Sequence, residues 1–234
     1  MQYIWLIWSL LLLVIWAVIY FSLKTLDDKK RMLVVSFWTS LTGLTEPLFV
    51  PEYWSPPSLF NLNMLTGFDI ESIIWAFGVG GIAVVVYNWI FRVSEKKMFL
   101  VERHSFHHRH HLATLLAMPI IMLILLIATP LNSLHSAIIA MTLGGLAAWY
   151  CRPDLKKKMF VSAFLFFCIY FVYFLTLIAM SPGYVERVWN LEAISGILIL
   201  GVPLEELLFA LSFGFYWSSV YEHLTWRRLK INNP

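Results

Sequence analysis

Apolar residues gather into seven stretches, at about 2–23, 32–50, 58–91, 112–130, 132–151, 159–180 and 191–221, separated by short polar connections. Each is close to or beyond the roughly 20 residues that a helix needs to cross a hydrocarbon core about 30 Å thick. The pattern predicts an all-α integral membrane protein with seven transmembrane helices. The first stretch has no basic n-region and no small-residue cleavage site, so it reads as a span rather than a signal peptide. The third is unusually long for a single crossing.

The connections alternate in charge. Lys24, Lys29, Lys30 and Arg31 follow the first stretch, and Arg92, Lys96, Lys97, Arg103 and Arg109 follow the third. Arg152 and Lys156 to Lys158 follow the fifth; Arg227, Arg228 and Lys230 follow the last. The other connections, at 51–57, 129–133 and 181–191, hold one basic residue, Arg187. Basic loops stay in the cytoplasm, which predicts a multi-pass protein of the cell inner membrane with its N-terminus outside and its C-terminus cytoplasmic. Composition agrees: 13% of residues are charged, against about 25% in soluble domains. The net charge of +3 follows from this topology and implies no nucleic acid partner. Cys151 and Cys168 sit in different stretches, so no disulfide framework is indicated.

Two acidic turns interrupt the apolar background, Gly67-Phe68-Asp69-Ile70-Glu71-Ser72 and Gly201-Val202-Pro203-Leu204-Glu205-Glu206. An ionisable group in a bilayer costs at least a few kcal/mol and is rarely idle. The turns align without a gap at an offset of 134 residues, placing Gly67 on Gly201, Glu71 on Glu205, Ala76 on Ala210, Gly80 on Gly214 and Tyr87 on Tyr221. Lys29-Lys30-Arg31-Met32 likewise resembles Lys156-Lys157-Lys158-Met159. Two parallel three-helix repeats joined by one extra span are therefore expected. Residues 1–91 form the first, 92–131 a basic His-rich loop with the linking span, and 132–234 the second with a cytoplasmic tail. Three spans plus one restore the orientation, so the repeats should be related by an axis along the membrane normal.

Gly201 and Pro203 predict a break in the last helix, with Pro203 opening a new half-helix that holds Glu205 and Glu206 near mid-membrane. Asp69 is the expected cap of the matching half-helix, with Glu71 just inside it. Broken helices at membrane depth surround a cavity or a protein interior. Asp69, Glu71, Glu205 and Glu206 are thus expected to converge, with Glu71 and Glu205 as the central pair. Burial raises a carboxyl pKa and a helix N-terminus lowers it, which favours a division into one protonated acid and one ionised base. Capping is the competing role, chiefly for Asp69. Glu46, beside Pro47, is a further candidate, whereas Glu52 reads as a solvated or bracing group of the outer loop. Trp75, Phe77, Phe209, Phe213 and Tyr216 follow the acidic turns, and ring faces stabilise cations without trapping them. Such rings are equally common as packing in membrane bundles.

Glu46-Pro47-Leu48-Phe49-Val50-Pro51-Glu52-Tyr53-Trp54-Ser55-Pro56-Pro57, Phe68-Asp69-Ile70-Glu71-Ser72 and Val202-Pro203-Leu204-Glu205-Glu206-Leu207-Leu208-Phe209 together resemble the small membrane lycopene cyclase domain. That domain is found in heterodimeric bacterial enzymes and in fungal bifunctional cyclase–phytoene synthases. The resemblance covers nearly the whole chain, as though both units of the family were fused. The second turn matches the family's Pro-x-Glu-Glu pattern; the first departs, with Asp69 in place of proline and Ser72 in place of the second acid. It implies a carotenoid cyclase that protonates a terminal alkene, closes a ring through the cation and removes a proton, with no net redox change and no cofactor. The implied partners are lycopene or a related linear carotene and membrane lipid, with a homo-oligomer or carotenoid-pathway enzymes compatible with it. Catalysis would rest on Glu71, Glu205, Glu206, Glu46 and Asp69, and substrate binding on Trp75, Phe77, Phe209, Phe213 and Tyr216.

Other readings fare less well. His104-Ser105-Phe106-His107-His108 matches one histidine box of membrane di-iron enzymes, but only His135 and His223 lie outside the loop at 104–111, so no metal is expected. Gly78-Val79-Gly80-Gly81 lies within a span and is no dinucleotide fingerprint. A retinal protein needs a lysine in the last span, and 191–221 holds none. A cyclase of another polyprenyl substrate, or a non-catalytic protein that binds carotenoid or prenyl lipid, would carry similar acidic turns.

Overall fold

A computed structural model describes residues 3–104 and 106–230, the side chain of His107 excepted. The outermost residues of the two predicted repeats, 1–2 and 231–234, and Ser105 of the histidine loop lie outside the described residues. Seven long helices carry the described fold: α1 (Ile4–Ser22), α2 (Leu26–Ser40), α3 (Ile70–Phe91), α4 (His111–Ala128), α5 (Ser133–Cys151), α6 (Lys156–Met180) and α7 (Leu204–Thr225). By length and composition five segments can cross a membrane: α1, α3, α4, α5 and the stretch 153–180 that contains α6. α2 begins with a charged turn and tightens after 15 residues into a 3-10 helix, Leu41–Leu48, which contains Pro47. α7 spans 22 residues but is diluted by glutamate, serine and tyrosine.

The two helices behind the acidic turns share their punctuation. Each runs for 22 residues and ends on a left-handed residue, Arg92 (φ 52°) or Trp226 (φ 54°). Gly67 and Gly201 precede them with φ of 84° and 85°, which only glycine adopts freely. Asp69 caps α3 by accepting from Ser72 N–H at 2.6 Å, and Pro203 stands at the matching position of α7.

The predicted half-helix ahead of Pro203 does not form. Residues 198–203 make a tight hairpin of β2 (Leu198–Ile199) and β3 (Val202–Pro203), turning at Leu200 and Gly201 with both φ positive. Residues 59–66 similarly form only short helical turns, broken at Phe60 and Asn61. α3 and α7 are therefore each about 33 Å long at 1.5 Å per residue. The acidic turns sit at the starts of these two helices, not at their middles.

α3 packs on α1 and α2, α7 packs on α5 and α6, and α3 meets α7 at the centre. Gly80 and Gly214 permit these approaches: an added Cβ would collide with Thr39 of α2 in one case and crowd Phe166 and Ala163 of α6 in the other. α4 rests mainly on α5. At one end Trp54 bridges Trp189, with Ser55 N–H donating to Val188 O at 2.8 Å and Asn190 N–H to Tyr53 O at 2.7 Å. At the other end β1 (Glu95–Lys97) pairs antiparallel with β4 (Arg227–Leu229).

Beside this second crossing, buried charges knit the elements together. Arg31 meets Glu95 at 2.5 Å and Glu222 at 3.5 Å; Lys158 meets Glu222 at 2.5 Å and Glu95 at 3.4 Å. Burial acts to raise the Glu95 carboxyl pKa, but Lys158 and Arg31 outweigh it and hold it at about 2.

Candidate active site

An apolar cavity of about 580 Å³ lies among α1, α3, α4, α5, α7 and the 41–48 turn. Its wall carries two carboxyl side chains, Glu46 and Glu206, both buried. Around them stand Trp5, Trp8, Tyr53, Trp75, Tyr170, Trp189, Phe209, Phe213, Tyr216 and Trp217. Phe209 stacks on Phe213 at 5.4 Å and Phe213 on Trp217 at 4.9 Å, so one side is a continuous ladder of rings. Trp75 approaches Phe209 at 5.8 Å and Tyr170 at 6.3 Å.

The two carboxyl groups are held differently. Glu206, in the first turn of α7, receives a hydrogen bond on each oxygen: Tyr170 OH donates to Oε2 at 2.7 Å and Trp189 Nε1–H to Oε1 at 3.0 Å. A carboxylate is an acceptor only, so two donors suit its ionised form. Glu46 comes from the 3-10 turn, and its Oε2 accepts from Asp69 N–H at 2.8 Å. Its Oε1 has no hydrogen-bond partner among the described residues. A buried ionised oxygen without a partner is costly, so this geometry suits a protonated acid. Glu71 Oε2 and Glu205 Oε2 are likewise buried without a partner among the described residues, but off the cavity wall.

The remaining predicted acids serve the walls. Asp69 spends one oxygen on the Ser72 cap and accepts from Trp5 Nε1–H with the other, at 3.2 Å. Glu71 Oε1 accepts from Leu59 N–H and Glu205 Oε1 from Ser195 N–H, both at 2.8 Å. Each thereby ties the acidic turn to the connection that precedes it. Glu205 also lies 3.6 Å from His135 Nε2. Asp69, Glu71 and Glu205 do not line the cavity, so the expected convergence reduces to Glu206 and Glu46. Among the predicted rings, Trp75, Phe209, Phe213 and Tyr216 line it, whereas Phe77 points away against Trp16 at 5.0 Å. Glu52 ties the 51–57 connection to the start of α5, accepting from Ser133 N–H at 3.1 Å and from the Ser133 hydroxyl.

Tyr170 and Trp189, which donate to Glu206, carried no spacing signal because they come from 36 and 17 residues away. An aromatic residue with a polar tip inside an apolar stretch was the one available hint. No group of three or more histidine, cysteine or acidic side chains suited to a metal occurs among the described residues.

Residues 132–224 match a family model described as lycopene cyclase. The matched segment contains α5, α6, the hairpin and nearly all of α7, and with them Glu205, Glu206, Tyr170 and Trp189. The match supports a lycopene cyclase domain in this part of the chain and, with it, a carotenoid substrate. No curated protein and no solved structure matches the chain.

Proposed function

We propose that this chain is a membrane carotenoid cyclase that closes the end ring of a linear carotene by proton transfer between two carboxyl groups on one apolar cavity. The observation that carries the reading is the pairing of Glu46 and Glu206 on a wall otherwise made of rings and aliphatic side chains. Glu46 gives its proton to the terminal alkene of the bound end. The neighbouring double bond attacks the resulting cation and forms the six-membered ring. The ionised Glu206 balances the cationic charge and takes up a ring proton, restoring a double bond. One proton enters and one leaves, so the product is an isomer, and the cycle closes when Glu206 passes its proton back to Glu46. Tyr170 and Trp189 keep Glu206 ionised until then. The ladder of Phe209, Phe213 and Trp217 faces the cation with electron-rich surfaces that cannot add to it.

In this reading the chain is two fused three-helix repeats, α1–α3 and α5–α7, with α4 as the linking span and all seven helices in the membrane. The repeat draws support from the shared punctuation of α3 and α7 and from the two crossings. Under the 134-residue offset, the Trp54–Trp189 bridge and the Glu95–Leu229 pair each join near-equivalent positions, as a two-fold axis through both ends requires. That axis runs along the bundle, as expected for parallel repeats. The basic end carrying β1 and β4 faces the cytoplasm, and Trp54 and Trp189 face outward.

Expression in cells that accumulate lycopene tests the reading. A cyclised carotene should form with no second subunit supplied. Chromatography that finds only unreacted lycopene, with the protein folded in the membrane, overturns it.

A further inference from the structure

We infer that the substrate enters and leaves the cavity sideways, through a mouth between the 41–48 turn and α4, so that only its reacting end is enclosed while its tail stays in the lipid. This rests on the cyclase reading and adds the route and the part of the substrate that is recognised.

The exposed residues of the cavity wall identify the mouth. Nearly all the lining is buried or half-buried; its exposed members are Thr42, Thr45 and Leu48 on the turn and Pro119 and Leu123 on α4. The cavity therefore reaches the surface between these two elements. None of the five is ionisable, and Leu44, Leu116, Ile120 and Ile124 beside them are exposed and apolar. Such a rim offers nothing to a polar molecule arriving from water and suits a hydrocarbon arriving from the bilayer.

α4 is built to border an opening. Among its residues only Thr114 is buried. It is seated on α5 where Gly144 leaves room for Met118. The next residue, Pro119, has no N–H, so the Leu115 carbonyl loses its helical partner; Tyr216 OH donates to that carbonyl at 3.4 Å instead. The side of α4 toward the 41–48 turn is left to border the mouth. Enclosure of one end makes the site selective for the end group and indifferent to the far end of the chain.

The test uses the full-length chain in carotenoid-producing cells, with two readouts: linear carotenoid retained by the purified protein, and ring formation. Leu123→Trp and Thr45→Trp fill the mouth from opposite rims at exposed positions, where folding tolerates bulk. Each should lower both readouts at least tenfold. Leu112→Trp, exposed at the start of the same helix and off both the cavity wall and its rim, should leave both unchanged. Glu206→Gln should keep retention and lose ring formation. Leu123→Trp and Thr45→Trp proteins that retain and cyclise carotenoid like the parent overturn the lateral route, the mouth then being a groove for lipid chains. A parent chain that retains carotenoid without cyclising it overturns the catalytic reading instead, and the route is then judged on retention. A parent chain that neither retains nor cyclises carotenoid overturns both, and one that cyclises without retaining it has its route judged on ring formation.

Discussion

The two acidic turns begin alike and end differently. In both, the first glutamate, Glu71 or Glu205, turns back to accept a backbone N–H from the preceding connection at 2.8 Å. At the next position one turn has Ser72 and the other Glu206, and only the second thereby puts a carboxyl group in the cavity. The first turn contributes by another route, because its Asp69 N–H holds Glu46 of the 41–48 turn against the same cavity. The two cavity carboxyls thus come from non-equivalent positions, Glu46 ahead of one turn and Glu206 within the other. Positions that match between the halves brace the structure, and positions that differ carry the proposed chemistry.

Exchanging the differing positions tests this most severely. Glu206→Ser, which makes the second turn like the first, should reduce ring formation by at least about 10²-fold, the usual scale of a lost acid–base group. Adding Ser72→Glu should not restore it, because Tyr170 and Trp189 would not be there to hold the new carboxyl. Recovery in the double variant would mean that the turns are interchangeable. Product analysis at matched protein level decides.

Glu46→Gln should follow closely, since the amide keeps an acceptor for Asp69 N–H but has no acidic proton. A loss of about 10²-fold with carotenoid still retained is expected. If Glu46→Gln cyclises normally while Glu71→Gln does not, the acid lies in the first turn after all.

Much of the fold was legible in the chain, for reasons that separate it from what was not. The five segments able to cross a membrane follow from apolar length, and the starts of α3 and α7 follow from Gly67, Asp69, Gly201 and Pro203, whose backbone preferences act locally. The hairpin at 198–203 was missed because the apolar run through Ile197, Leu198, Ile199 and Leu200 reads as helix. Its reversal depends on two successive positive φ values, one of them at a leucine. Site membership was the least legible. Glu205 and Glu206 are adjacent in sequence and about 100° apart around a helix, so one faces the connection and the other the cavity. Nothing in the spacing says which.

The matching positions should produce smaller and equal effects. Glu71→Ala and Glu205→Ala each leave a partly buried N–H without its acceptor, which costs about 1 kcal/mol. Thermal unfolding in detergent should move down by similar amounts in the two variants, and ring formation should fall only a few-fold. Glu71→Gln and Glu205→Gln, which keep an acceptor, should be milder still. A difference of tenfold or more in activity between the Ala variants would break the equivalence of the two braces.

The smallest effect is expected at the opposite end, where Arg31, Asp28 and Glu95 meet Lys158 and Glu222. Glu95 has its carboxyl held at about 2, below the value near 4.3 of an unfolded chain. Its contribution to stability is therefore complete above roughly pH 4.3 and is lost as the pH falls through about 2. Between pH 7 and pH 5 the Glu95 contribution itself should stay constant, whatever the acids of the cavity do to the rate. Below that range the parent should lose stability. Glu95→Gln, although less stable at neutral pH because Lys158 and Arg31 lose a partner, should decline more gently with acid. An acid limb of the same steepness in Glu95→Gln and the parent would show that Glu95 is not the group whose protonation loosens this junction between the halves.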